Sequence, residues 1–155
     1  MQYTVVGMPR RYTMFILLAF LLNFVWESWH AAYLYQGGFG LVFDSPGGTL
    51  KEFVHLMTYA SLMDALLLSG VLLGGAVLWK SWDWFVHMSV HQYVYVIVVA
   101  LLLAGFIEYR AVFLFHQWSY SELMPTLFGL GVSPLLQLPL TGVVALVVAR
   151  HDREL

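Results

Sequence analysis

Four apolar runs constrain this chain more than any other feature. They cover about residues 12–29, 53–79, 84–115 and 124–149 of the 155. A helix needs roughly 20 apolar residues to cross a bilayer, and each run is about that long or longer. Lipid offers backbone N–H and C=O groups no partner, and a helix pairs them internally. The predicted fold is therefore all-α: a polytopic membrane protein, one domain spanning 1–155, built as a bundle of four transmembrane helices. Residues 31–51 form the only long loop, rich in turn residues at Gly37-Gly38 and Asp44-Ser45-Pro46-Gly47-Gly48. The other two connections are short, which favours antiparallel neighbours. There is no internal repeat.

Composition agrees. The chain is 61% apolar and 10% charged, where soluble domains carry roughly 25% charge. A formal charge of -2 without any basic run points to no nucleic-acid partner. The absence of Cys excludes disulfides, thiolate nucleophiles and Cys-ligated metals. Arg10-Arg11 ahead of an apolar run resembles a signal peptide. No small-x-small cleavage site follows, and Trp26 and Glu27 interrupt its end, so the expectation is a retained helix.

Lys and Arg predict the orientation. Arg10, Arg11, Lys80, Arg150 and Arg153 flank one side, against Lys51 and Arg110 on the other. The positive-inside rule then places both termini in the cytoplasm of a bacterial inner membrane. Trp26, Trp29, Tyr33, Tyr35, Trp118 and Tyr120 read as an aromatic belt at one interface, and Trp79, Trp82 and Trp84 as the belt at the other.

Polar residues inside the runs are the candidate site. Asn23 and Glu27 are four apart and Glu27 and His30 three apart, so all three share one helical face. Ionisable groups at membrane depth are costly and face protein or a wet cavity. Asp64 lies mid-way along the second run, on the face of Met57, Ser61 and Leu68. It is nine residues past His55, half a turn round the helix, so the two face opposite ways. Its expected partners are Glu27, Asn23, Arg110 or Gln137, with a plain helix–helix hydrogen bond as the structural reading. Glu108 closes the third run beside Ala104 and Gly105, and Arg110 is a candidate counter-ion for Glu27, Glu108 or Glu122.

Two metal readings follow from spacing. Glu27-x-x-His30 and Glu52-x-x-His55, with Glu108 and Glu122, supply the six ligands of a di-metal carboxylate centre. The plainer reading is interfacial acids and imidazoles, with Glu52 at a helix N-terminus. His87-x-x-x-His91 has the spacing of a two-His metal or haem clamp, against plain interfacial hydrogen bonding.

The fourth run is broken by Pro125, Gly129, Gly131, Pro134, Pro139 and Gly142. Either one kinked helix crosses, or a short segment enters as far as Val132 and a helix follows, with Ser133 as cap and Pro134 in its first turn. Gln137 then sits one turn inside.

Trp26-Glu27, Met63-Asp64, Glu108, Trp118-x-Tyr120-x-x-x-Met124-Pro125 and Gly131-x-Ser133-Pro134-Leu135-Leu136-Gln137 together form a pattern. With it, most of the chain beyond the first dozen residues resembles a family of small, uncharacterised bacterial four-helix inner-membrane proteins. The resemblance implies no activity or cofactor. In that family a Gln is common where this chain has His30, and His55 lies outside the pattern. This takes two ligands from the di-metal reading and gives weight to Glu27, Asp64, Glu108 and Gln137.

The functional expectation is an acidic pocket toward the non-cytoplasmic half. Glu27, Asp64 and Glu108 would carry acid/base chemistry on a lipophilic or small polar molecule. Asn23, His30, Arg110, Trp118, Tyr120 and Gln137 would bind or orient it. The alternative is a non-catalytic accessory or assembly subunit, with the bilayer and other membrane subunits, or further copies of itself, as partners.

Overall fold

The computed structural model describes residues 8–35 and 49–151. Of the loop expected at 31–51, residues 36–48 lie outside them, as does Arg153, while 31–33 and 50–51 are helical. Four helices follow in order: α1 (Met8–Tyr33), α2 (Leu50–Leu78), α3 (Val90–Tyr109) and α4 (Val132–His151). All four are long and apolar enough to cross a membrane, an architecture compatible with an integral membrane protein. α1 packs between α2 and α4, and α4 packs on α3; the α2–α3 seam is looser. Neighbours run antiparallel. The start of α1 and the end of α4 therefore share one end of the bundle, here the terminal end, with the α2–α3 connection. The opposite, distal end holds the α3–α4 connection.

Helix starts are chosen by local polar groups. Thr49 caps α2: Glu52 N–H donates to Thr49 Oγ1 at 3.3 Å and Thr49 N–H to Glu52 Oε2 at 2.7 Å, satisfying two donors that a helix end leaves open. Ser89 N–H donates to Gln92 Oε1 at 2.7 Å where α3 begins.

The third helix starts at Val90, not near residue 84, because the chain between α2 and α3 folds back under the bundle. Lys80 takes a left-handed conformation (φ 52°) that ends α2. Trp84 and Phe85 then enter the core, 4% and 0% exposed. Trp84 Nε1–H donates to Leu72 O at 3.1 Å. Its ring stacks on Trp79 at 4.9 Å. Trp84 is thus a core residue, not part of an outer belt, whereas Trp82 is exposed. Gly75 makes room for it: a Cβ there would stand 2.2 Å from the Trp84 ring. Tyr12 OH donates to Trp82 O at 2.9 Å, tying α1 to the same turn.

The distal end is irregular. α3 widens into a π-helical turn (Arg110–Leu114), and His116 at φ 49° stops it. The entering segment of the fourth run is no part of a helix. It forms a two-residue hairpin, β1 (Thr126–Leu127) and β2 (Leu130–Gly131), paired Thr126 to Gly131. Phe128 and Gly129 make its turn at φ 53° and 78°, the twist such turns need. The membrane-long part therefore runs from Val132, with Pro134 in the first turn and Pro139 inside. Pro139 has no N–H, so the carbonyl four residues earlier has no helical donor. Ser121 N–H donates to Leu34 O at 2.9 Å and joins this connection to the end of α1.

Candidate functional site

At mid-depth the core changes from hydrocarbon to polar. Asn23 on α1 and Gln137 and Thr141 on α4 are buried, and Glu27 and Asp64 are half-buried beside them. Gln137 Nε2 is the hub. It stands 3.1 Å from Asn23 Oδ1, 2.7 Å from Glu27 Oε1 and 2.9 Å from Asp64 Oδ2. Thr141 OH reaches Gln137 O at 2.8 Å and Asn23 Oδ1 at 3.3 Å. Asn23 Nδ2 is used on Ala19 O at 2.8 Å, which fixes its oxygen toward Gln137. The Glu27 and Asp64 carboxyls thus meet at one amide nitrogen.

A primary amide nitrogen carries two hydrogens, and three acceptors surround this one. The cluster is rich in acceptors and short of donors. It joins α1, α2 and α4; Glu108 of α3, expected in the same pocket, is bonded to Trp118 and Tyr120 instead.

Glu108 sits in a second group, on α3. Tyr120 OH donates to it, Trp118 Nε1–H does so at 3.5 Å, and Tyr35 approaches the same carboxyl. Tyr35 and Tyr120 stack at 6.1 Å and pair through their backbones. Both phenols hold their protons above the usual tyrosine range. For Tyr120 burial is the main cause, then the bond to Glu108. For Tyr35 burial leads again, followed by the charge of Glu108.

His30 forms a third group. It is fully buried. Trp26 Nε1–H points at its Nε2 from 2.6 Å, and Ser133 Oγ lies 2.7 Å from the same nitrogen. Indole is only a donor, so Nε2 is the accepting nitrogen and Nδ1 carries the proton. Nδ1 has no partner.

Other expected site residues lie elsewhere. Arg110 is exposed and rests over the Phe106 and Phe115 rings at 5.6 and 5.1 Å, and among the described residues it makes no ion pair with the acids it was expected to neutralise. The di-metal set does not gather. Glu52 is spent on the α2 cap, and His55 and Glu122 are exposed. Among the described residues no three His, Asp or Glu side chains stand close enough to hold a metal ion. Spacing put each Glu-x-x-His pair on one face; the packing turned the second pair outward. His87 lies ahead of α3 and His91 inside it, both exposed, so their spacing is not that of one helix. Thr141, Ser133 and Tyr35 were not placed at the site from the sequence. The first two had a signal: Ser133, Gln137 and Thr141 recur every four residues, one polar stripe on α4.

The chain matches no protein-family model, no curated protein and no solved structure.

Proposed function

We propose that this is an integral protein of a bacterial inner membrane, with both termini cytoplasmic and kinship to the four-helix family it resembles. In this reading the Glu27–Asp64 pair binds, and exchanges a proton with, a lipophilic small molecule. The observation that carries it is the meeting of Glu27 and Asp64, from two different helices, at the single amide of Gln137. An ionised carboxylate only accepts hydrogen bonds. Two carboxyls that approach each other beside one donor share a proton, and a shared proton is available for acid/base chemistry. Glu108 stands by as a further acid, oriented by Tyr120 and Trp118. The excess of Lys and Arg at the terminal end supports the orientation.

The test is infrared spectroscopy of the purified full chain in lipid vesicles at neutral pH. A protonated-carboxyl C=O band, shifted in heavy water, is expected in the wild type and absent from both Glu27→Gln and Asp64→Asn. A wild type lacking that band, or a band that survives in both variants, overturns the proposal.

A further inference from the structure

Ser133 and His30 meet across the α1–α4 seam and take no part in the Glu27–Asp64 cluster. Ser133 Oγ lies 2.7 Å from His30 Nε2, the nitrogen at which the Trp26 indole N–H points and which therefore carries a lone pair and no proton. A serine hydroxyl beside an accepting imidazole is an activated nucleophile, because the ring takes the hydroxyl proton as the oxygen attacks. His30 is fully buried, so bulk water does not reach that lone pair. Its Nδ1 has no partner among the described residues. The pair is thus a dyad, without the carboxylate of a triad.

Ser133 also lines a groove of about 560 Å³ at the distal end, within the size range of small-molecule sites. Its other walls include Trp26, Trp29, Leu34 and Leu136. They belong to α1 and α4, both long and apolar enough to cross a membrane, so in a bilayer the groove opens toward acyl chains. Trp26 belongs to the groove and to the pair alike. One lone pair on His30 Nε2 serves two donors, the indole N–H and the Ser133 hydroxyl. Once Nε2 takes the serine proton, that lone pair is gone and the indole N–H is released beside Ser133. A donor freed at that moment meets the negative charge that appears on an attacked carbonyl oxygen, which is the charge an acyl-transfer site has to stabilise.

We infer that Ser133 is the nucleophile of an acyl-transfer site for long-chain carboxylic esters, with His30 as base and Trp26 as oxyanion donor. The nucleophile selects the reacting group, a carbonyl carbon, and the apolar walls select the chain that carries it. Ser133 Oγ bonds to the ester carbonyl carbon and its proton passes to His30 Nε2. The bond from that carbon to the alcohol oxygen breaks, and His30 gives the proton to the departing alcohol. The acyl group stays on Ser133 until water attacks the same carbon and yields a proton to His30. His30 hands that proton back to Ser133 Oγ as the fatty acid leaves. The site is separate from the Glu27–Asp64 pair, and neither reading needs the other.

The test uses the full chain in phosphatidylcholine vesicles and a fluorophosphonate with a long alkyl chain, which loses fluoride to an activated serine. Mass spectrometry is expected to find the phosphonyl group on Ser133, and Ser133→Ala is expected to stay unlabelled. His30→Gln is expected to slow labelling about a hundredfold. Trp26→Phe, which keeps an aromatic ring and loses the N–H, is expected to slow it about as much. An indole that merely competed for His30 would leave labelling unchanged or faster once removed, and that result overturns the arrangement. Leu136→Trp, on a groove wall, is expected to fill the groove and remove most of the labelling. A second readout needs no His30 variant to fold: a long-chain nitrophenyl ester is expected to release nitrophenol faster with the wild type than with Ser133→Ala and to leave its acyl group on Ser133. No adduct on Ser133 from either probe, or equal labelling of folded wild type and His30→Gln, overturns the inference.

Discussion

At the terminal end, Ala19, Ala76, Ala145 and Ala149 let backbones approach, and Trp84 and Phe85 fill the space that remains. At mid-depth Asn23, Glu27, Asp64, Gln137 and Thr141 stand inward instead, joined by hydrogen bonds. The first arrangement is held by shape. Lipid gives no hydrophobic drive between helices, so close packing of small residues carries association. The second is held by direction, through bonds that need particular partners. A shape-held region tolerates no added volume and is indifferent to charge. A direction-held region tolerates small changes of volume and loses its order when one donor goes. The proton exchange proposed for Glu27 and Asp64 would belong to the direction-held region, and stability leans on the shape-held one.

Added volume at the terminal end gives the largest expected effect. Gly75→Val places methyl groups where the Trp84 ring lies 2.2 Å from a Cβ position, and the ring is already packed against Trp79, Phe85 and Tyr95. Thermal unfolding in detergent is expected to register a loss of about 3 kcal/mol, with the infrared carboxyl signal of the folded fraction unchanged. A change in that signal would break the division between the halves. Next is Gln137→Leu, which removes the one donor shared by Asn23, Glu27 and Asp64. Stranding buried acceptors costs about 2 kcal/mol, and here the carboxyl signal is expected to change as well. Trp84→Phe keeps most of the packing but loses the 3.1 Å bond to Leu72 O; about 1 kcal/mol is expected. Thr141→Val keeps shape and loses the hydroxyl that reaches Asn23 Oδ1 across helices at 3.3 Å, and about 0.6 kcal/mol is expected from the usual strength of interhelical bonds in membranes.

An alkaline titration sharpens the same contrast at the distal rim. Tyr35 and Tyr120 hold their protons more tightly when folded than free tyrosine does, mainly through burial. A raised folded value means the stabilising contribution is complete below the free tyrosine range, about pH 10. It is lost as pH climbs from there toward the folded values. Stability is expected to fall above about pH 10, and Tyr35→Phe and Tyr120→Phe are each expected to flatten that fall. Identical alkaline curves for both variants and the wild type would mean that neither phenol is sequestered.

Much of this was legible in the order of residues. The four spans, and one inward face holding Asn23, Glu27 and His30, follow from periodicity and from the cost of polar groups at depth. Asp64 was expected to face the bundle with His55 turned away, and the structure has Asp64 against Gln137 and His55 exposed. Trp84 was misread as an interfacial ring, because hydropathy cannot tell a headgroup Trp from one folded back beneath a glycine. Arg110 was misread as a counter-ion, because a cation beside Phe106 and Phe115 has an aromatic alternative that pair-counting ignores.

The sequence by itself determined the number of helices, their depth-long apolar character and the register of polar residues along each, since these depend only on spacing within one helix. Tertiary structure alone decided which helix faced which. It brought Glu27 and Asp64 to one amide, set Glu108 apart with two tyrosines, left Glu52 and His55 outside, and opened the groove beside Ser133. The physical reason is that the rotation of one helix against another is fixed by how side chains of separate segments interlock, and no spacing within a segment encodes that.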